Sequence, residues 1–269
     1  KGKSIGKKVV LNPLITCGKC DYCESGREHL CNQRIILGMN RPIERQGGFA
    51  EYVSIPDKNI YELPKELSIN EAPIAEPTAV ALHAVELGEK SLSKSLKDTK
   101  ILVIGAGAIG LLCGLILSKI KSCDNIVIVD PNNKRSGECK KYLDAEATNP
   151  NGKSILDSHF DIVFDTVGLE KTRQQAIKAI RAGGIIIHIG LTQPAGPFDF
   201  RKTTLQEIIF IGTYCYTNKD FATTLNILSK KQIGSLGWIE YRKLKDGSSA
   251  FKEIHDGTCA APKIILLTQ

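Results

Sequence analysis

The rhythm of apolar positions divides this chain into three stretches. Over residues 1–76 the apolar runs are short and broken. Lys8-Val9-Val10-Leu11 predicts a strand stopped by Asn12-Pro13, and Gly47-Gly48 leads into a second short β run, Phe49-Ala50-Glu51-Tyr52-Val53. Pro56, Pro64, Pro73 and Pro77 then punctuate the chain, so a β-rich, irregular region is expected. From Pro77 the pattern changes to apolar runs at 101–104, 126–129, 160–164, 185–189 and 207–212. Helical stretches alternate with them at 78–88, from the glycines after 104 to about 121, at 135–143 and at 171–181. Continuous β-branched runs separated by helices predict a parallel sheet covered on both faces, an α/β fold. The last fifty or so residues return to a mixed pattern, with a helix near 221–231 and a terminal strand at 263–267.

The apolar tract 101–117 carries no charge and contains a Gly110/Gly114 pair of the kind that packs membrane helices. It is at the short edge of a membrane span, and Lys100 and Lys119 bracket it, so a buried strand–turn–helix is the expectation. Its glycines supply the reason. Gly105-Ala106-Gly107-Ala108-Ile109-Gly110 follows a four-residue apolar run, opens an apolar helix, and is followed by a second run ending at Asp130. That context makes GxGxxG a dinucleotide fingerprint. Gly105 permits the turn, Gly107 lets the pyrophosphate approach the backbone, and Gly110 lets helix and strand pack closely. The helix N-terminus at Ala108 and Ile109 offers free N–H groups to the phosphates. Asp130 suits the two ribose hydroxyls and would repel a 2′-phosphate, which favours NAD over NADP. Arg135 is the reservation, because it would accommodate that phosphate. Val167-Gly168 and Ile189-Gly190 end two later strands, where ligands gather in such sheets, and are expected as further cofactor contacts.

Composition adds a metal. Of nine cysteines, four crowd into Cys17, Cys20, Cys23 and Cys31, spaced C-x2-C-x2-C-x7-C. Four thiolates close a tetrahedral zinc shell and leave no open position for chemistry. The intervening Lys19, Asp21, Glu24, Arg27 and Glu28 form no core, so the metal is expected to order the lobe, with His29 exposed. An iron–sulfur cluster is the main rival, but its run continues with a fourth cysteine three residues on, before proline. A nucleic-acid-binding zinc ribbon would need basic and aromatic residues around the knuckle, and these are sparse. The odd cysteine count and the cluster fit a reducing, cytoplasmic compartment better than a disulfide scaffold. The 36 basic and 29 acidic residues give a net charge of +7 spread along the chain, without the block that nucleic acid binding would call for. The chain begins at Lys1 without a methionine, so any targeting signal is expected upstream of it.

A four-cysteine lobe followed by this fingerprint resembles the zinc-dependent medium-chain dehydrogenase/reductase family. Asn12-Pro13-Leu14-Ile15-Thr16-Cys17-Gly18, Gly47-Gly48-Phe49-Ala50-Glu51-Tyr52, and Ala75-Glu76-Pro77 with Ala81-Leu82-His83-Ala84 are similar to its segments, the last to its polyol and threonine dehydrogenase branch. The resemblance implies a Rossmann doubly wound sheet at 77–217 and a partial GroES-like catalytic domain at 1–76, rejoined by 218–269. It implies hydride transfer from a secondary alcohol, polyol or hydroxy amino acid, to NAD, and a homodimer or homotetramer. Glu76 would bind zinc directly or hydrogen-bond its water, while His83 is expected to be packed. The family's catalytic cysteine and Gly-His-Glu segment precede the first strand seen here, so the resemblance implies an N-terminally truncated chain. The alternatives are a catalytically inactive NAD-binding member and, less favoured because the lobe is intact, a zinc-free reductase. No nucleic-acid or membrane partner is expected.

Overall fold

The computed structural model describes residues 5–39, 45–152 and 155–268. The β-rich first stretch forms two antiparallel pairs. β1 (Val9–Leu11) and β2 (Leu14–Ile15) flank Asn12-Pro13; the short helix α1 (Asp21–Glu24) follows, then β3 (Ile35–Ile36), which pairs with β2, and β4 (Ile60–Glu62), which pairs with β1. The β run expected at 49–53 does not form, and Phe49 and Tyr52 are exposed. A strand persists only where a neighbour takes its N–H and C=O groups, and none of the described strands runs beside this segment. Phe49 packs instead edge-on to Phe251, with ring centroids 5.6 Å apart.

Helix α2 (Ala75–Ser91) carries Pro77 in its first turn, where a missing N–H costs nothing. The alternating region then unrolls as β5 (Ile101–Ile104), α3 (Ala108–Leu115), β6 (Ile126–Val129), α4 (Asn133–Tyr142), β7 (Glu146–Thr148), β8 (Phe160–Asp165), α5 (Glu170–Ala179) and β9 (Ile180–His188), then α6 (Phe200–Leu205) and β10 (Ile209–Gly212); all but β7 and α6 were predicted. A π-helical turn over Ile116–Ile120 prolongs α3. The six strands are parallel in the order β10-β9-β8-β5-β6-β7. Strand order reverses between β5 and β8, so loops diverge there and open a crevice at the carboxyl ends.

Helices cover both faces. Ile101, Val103, Ile126, Ile128, Ile162 and Phe164 pack with α2, α3 and α4 on one side, and Leu102, Ile104, Val129, Val163 and Ile186 pack with α5 on the other. The connection from β7 to β8 contains no helix among its described residues, and a cavity of about 650 Å³ opens beside α5 on that face. The chain closes with α7 (Asn218–Ser229), β11 (Ile239–Lys243), α8 (Gly247–His255) and β12 (Lys263–Leu267), with β11 and β12 parallel. One core joins all three stretches, from Val10 and Leu14 through the sheet to Phe221 and Trp238. No described helix is long and apolar enough to cross a membrane; the tract 101–117 is the predicted strand–turn–helix.

Candidate functional site

The glycine turn between β5 and α3 is held by contacts that admit no side chain. Gly105 has φ +101°, and a Cβ there would lie 2.6 Å from Thr166 Oγ1 and from Val167 Cγ2. A Cβ on Gly110 would fall 1.8 Å from the Gly105 carbonyl oxygen, so helix and turn touch backbone to backbone. Gly107, the N-cap of α3, is the opposite case: nothing lies within 4 Å of its Cβ position. The two close contacts build the turn, and the open glycine faces free space at the helix N-terminus. Ala108 begins α3, and Ile109 packs against the core.

Asp130 follows β6 and is buried, 4% exposed. Its Oδ2 accepts the Ala106 N–H at 2.8 Å and its Oδ1 accepts the Asn132 N–H at 2.8 Å. The carboxylate thus ties the glycine turn to the next strand, and each oxygen keeps a lone pair for another donor. Arg135 Nη1 lies 3.6 Å from Oδ2, and its buried Nε has no partner. The two residues that weigh NAD against NADP are therefore in contact. Asn132 caps α4 through Lys134 and Arg135 N–H, and its Nδ2 donates to Gly257 O at 2.9 Å, binding this turn to the C-terminal stretch.

The ends of β8 and β9 meet as closely. A Cβ on Gly168 would sit 2.1 Å from Gly190 O. Asp165, fully buried, accepts Val167 and Gly168 N–H at 3.1 and 2.9 Å through one oxygen. The other oxygen takes Thr172 Oγ1 and His188 Nδ1, both at 3.1 Å. Burial pushes this carboxyl up, but the hydrogen bonds from His188, Gly168 and Val167 outweigh it and hold the group below its ordinary value. Asp165 was not singled out in the sequence, where the apolar run was read as ending at Phe164. Gly105, Val129, Pro131, Val167 and Leu169 line one end of the 650 Å³ cavity, against the glycine turn, and Asp157, Lys178 and Ala179 line the other, by the amino ends of β8 and β9. Ile189 and Gly190 N–H both donate to Asp165 O, at 2.9 and 3.1 Å, on the far side of that crevice.

The four lobe cysteines come together. Their sulfur atoms all lie within 4.8 Å of one another, with Cys17 and Cys23 at 3.9 Å and Cys20 and Cys23 at 3.6 Å, and none is in a disulfide. Tetrahedral thiolates about 2.3 Å from a zinc ion stand about 3.8 Å apart, so the residues fit that ion. One turn of α1 sets the spacing of Cys20 and Cys23, and the Lys19 N–H on Cys17 lowers that thiol to about 6. One expectation fails here, the exposure of His29. His29 is buried, packed edge-on to His83 at 4.7 Å, and Glu28 is buried too, accepting the Asn218 N–H. The lobe has no core of its own, but it docks on α2 and α7, and these two residues are its contact face. His83 is packed as expected, with Nδ1 donating to Asp220 Oδ2 at 2.8 Å.

Glu76 lies in the first turn of α2, largely enclosed. Burial raises its carboxyl above the ordinary range, opposed by the Lys263 charge and a hydrogen bond from Tyr216. Both partners come from far along the chain, and no local signal marked either one. Among the described residues the four cysteines are the one group of three or more His, Cys, Asp or Glu side chains close enough to share a metal, and Glu76 is outside it.

The comparisons agree with this geometry. Residues 1–65 match the family described as the alcohol dehydrogenase GroES-like domain, and residues 108–230 match the zinc-binding dehydrogenase family. The chain is 25% identical to the probable D-xylulose reductase A of Neosartorya fischeri over 95% of its own length and 73% of that protein. It is 30% identical to the L-threonine 3-dehydrogenase of Burkholderia ambifaria over 80% of its length and 62% of that protein. The solved structure of L-idonate 5-dehydrogenase from Escherichia coli superposes with a TM-score of 0.84 at 24% identity, over 97% of this chain and 76% of that one, and shows the same fold.

Proposed function

The chain belongs to the zinc-dependent medium-chain dehydrogenase/reductase family, an enzyme of the NAD-dependent alcohol dehydrogenase type, and from that premise we propose that it oxidises a secondary alcohol of the polyol or hydroxy amino acid kind. The observation that carries the reading is the Gly105–Gly110 turn, tied to Asp130 and lining through Gly105 one end of the cavity beside α5. Residues 77–217 act as the cofactor domain, and 1–76 with 218–269 as the substrate side. N–H groups at Gly107, Ala108 and Ile109 take the pyrophosphate, with Gly105 and Gly110 shaping the turn. Asp130 takes the ribose hydroxyls with Arg135 beside it, and Val167, Gly168, Ile189 and Gly190 line the nicotinamide half. When bound, NAD supplies the acceptor for the hydride that leaves the carbinol carbon. The hydroxyl proton leaves to a base, and Glu76 is that base: a carboxylate raised by burial is nearer the working pH than an exposed one.

Cys17, Cys20, Cys23 and Cys31 hold a structural zinc. The described residues do not assemble a second metal site around Glu76. That single metal group favours one other reading, a catalytically silent NAD-binding protein. Elemental analysis with calorimetric titration of NAD and NADP tests the proposal. One zinc per chain with NAD preferred over NADP is the expected result, and iron, no metal, or no nucleotide binding would overturn it. NAD binding without turnover of any polyol or hydroxy amino acid would leave the silent reading.

A further inference from the structure

Arg34 is a half-buried cation with no carboxylate paired to it among the described residues. It follows the cysteine lobe and precedes β3, and a tight turn fixes it. Its backbone N–H donates to Cys31 O at 3.0 Å, and its Nη1 donates to the same oxygen at 3.2 Å. The guanidinium lies over the ring of Tyr214, 5.0 Å from the centroid, a contact that attracts a cation to an aromatic face without neutralising it. Other half-buried arginines meet carboxylates, Arg242 with Glu240 and Glu253, and Arg135 with Asp130. A guanidinium drawn partly out of water without an anion carries a desolvation cost that nothing offsets.

Tyr214 brings this cation to the carboxyl edge of the sheet. β10 pairs with β9 as far as Gly212 and His188, and the next residue, Thr213, still donates its N–H to His188 O at 3.0 Å. Tyr214 therefore leaves the sheet beside Ile189 and Gly190, the residues that line the nicotinamide half in the proposed function. Cys215 then takes φ +55°, a left-handed backbone uncommon away from glycine. That turn sends Tyr216 into the core, where its hydroxyl donates to Asn12 Oδ1 at 3.3 Å, and leaves Tyr214 half-buried at the rim. We infer that Arg34, backed by Tyr214, is a specificity-determining residue that takes a carboxylate of the substrate, an assignment that rests on the dehydrogenase reading above. The alcohol oxidised is then a hydroxy acid, with or without an amino group, in preference to an uncharged polyol. The planar fork offers parallel N–H groups that match two carboxylate oxygens, and the anion neutralises the cation. A hydroxyl in the same place does neither.

NAD binding to the full chain is titrated first, by calorimetry. The NAD-loaded chain is then titrated with two pairs of compounds that differ only in a carboxylate against a hydroxymethyl group: L-threonine with L-threoninol, and D-gluconate with D-sorbitol. In at least one pair the acid should bind at least tenfold more tightly than its alcohol. Arg34→Gln, which keeps a polar side chain without the charge, should remove that preference, and Arg34→Lys should restore part of it. A merely structural role for Arg34 would weaken acid and alcohol alike. Acid and alcohol that bind equally in both pairs, an acid preference that survives Arg34→Gln, or no binding of any of the four overturns the assignment, while NAD binding leaves the dehydrogenase reading standing. A chain that takes up no NAD removes both.

Discussion

Two glycines of the same turn make opposite predictions, because one carries structure and the other free space. Gly110→Ala puts a methyl 1.8 Å from a backbone oxygen. It should cost about 1–3 kcal/mol or more, since neither backbone can yield without opening the β5–α3 turn. Gly107→Ala meets nothing within 4 Å and has an ordinary φ of −74°, so its melting temperature should stay close to wild type. Its NAD affinity should fall at least tenfold, because the methyl occupies the space kept for the pyrophosphate. Calorimetry and thermal unfolding on the two variants separate these roles, and a Gly107→Ala protein that binds NAD normally would remove the phosphate from this turn. Asp130→Ala differs from both. It loses the tie to Ala106 as well as the ribose acceptor, so NAD binding should weaken by about 1.5–3 kcal/mol while NADP binding changes less.

Between elements, what matters is which strand end holds which loop. Asp165 ends β8 and collects two loop N–H groups, Thr172 and His188. Its carboxyl is held below the ordinary carboxylate value near about 3.9, so the ionised form adds stability above that pH and the contribution is lost as pH falls through the lowered value. Asp165→Asn should therefore lower stability at neutral pH by about 1–3 kcal/mol, with the gap to wild type narrowing in acid. Thermal unfolding of both proteins across pH checks it, and a gap that does not change with pH would place the effect in packing alone. The same element shows where sequence reading stops. Strands β5, β6 and β8 were legible because both-face burial leaves continuous β-branched runs, and the glycine fingerprint and cysteine spacing were legible because their partners are local. β7 was missed because Glu146-Ala147-Thr148 is three residues long at a sheet edge. β11 and α8 were missed because their apolar residues alternate with half-buried charges such as Glu240, Arg242 and Glu253, paired only in three dimensions. The partners of Glu76, Lys263 and Tyr216, lie 187 and 140 positions away and leave no mark on its neighbourhood.

At the scale of the whole molecule, the sheet ends on one side at β10, which has β9 on one edge and no described strand on the other. An edge of this kind with apolar residues beside it is a template for pairing. Here Leu191 and Phe200 are exposed by 74% and 72% and share one groove with Phe198, Phe210 and His188, whose neighbouring ring centroids lie 5.1 to 5.4 Å apart. Exposed apolar side chains of this size, grouped on one face, mark an interaction surface. We propose that a second copy of the chain covers it, with the two β10 edges related by a two-fold axis that brings identical residues together. Phe200→Asp tests this directly, because a side chain already in solvent has little folding energy to lose and the charge would face its own mate across the axis. The variant should keep its melting profile and its NAD affinity while sedimentation velocity shifts from dimer to monomer at micromolar concentration. A wild type that sediments as a monomer at that concentration, or a Phe200→Asp protein that remains a dimer, would remove this face from the assembly.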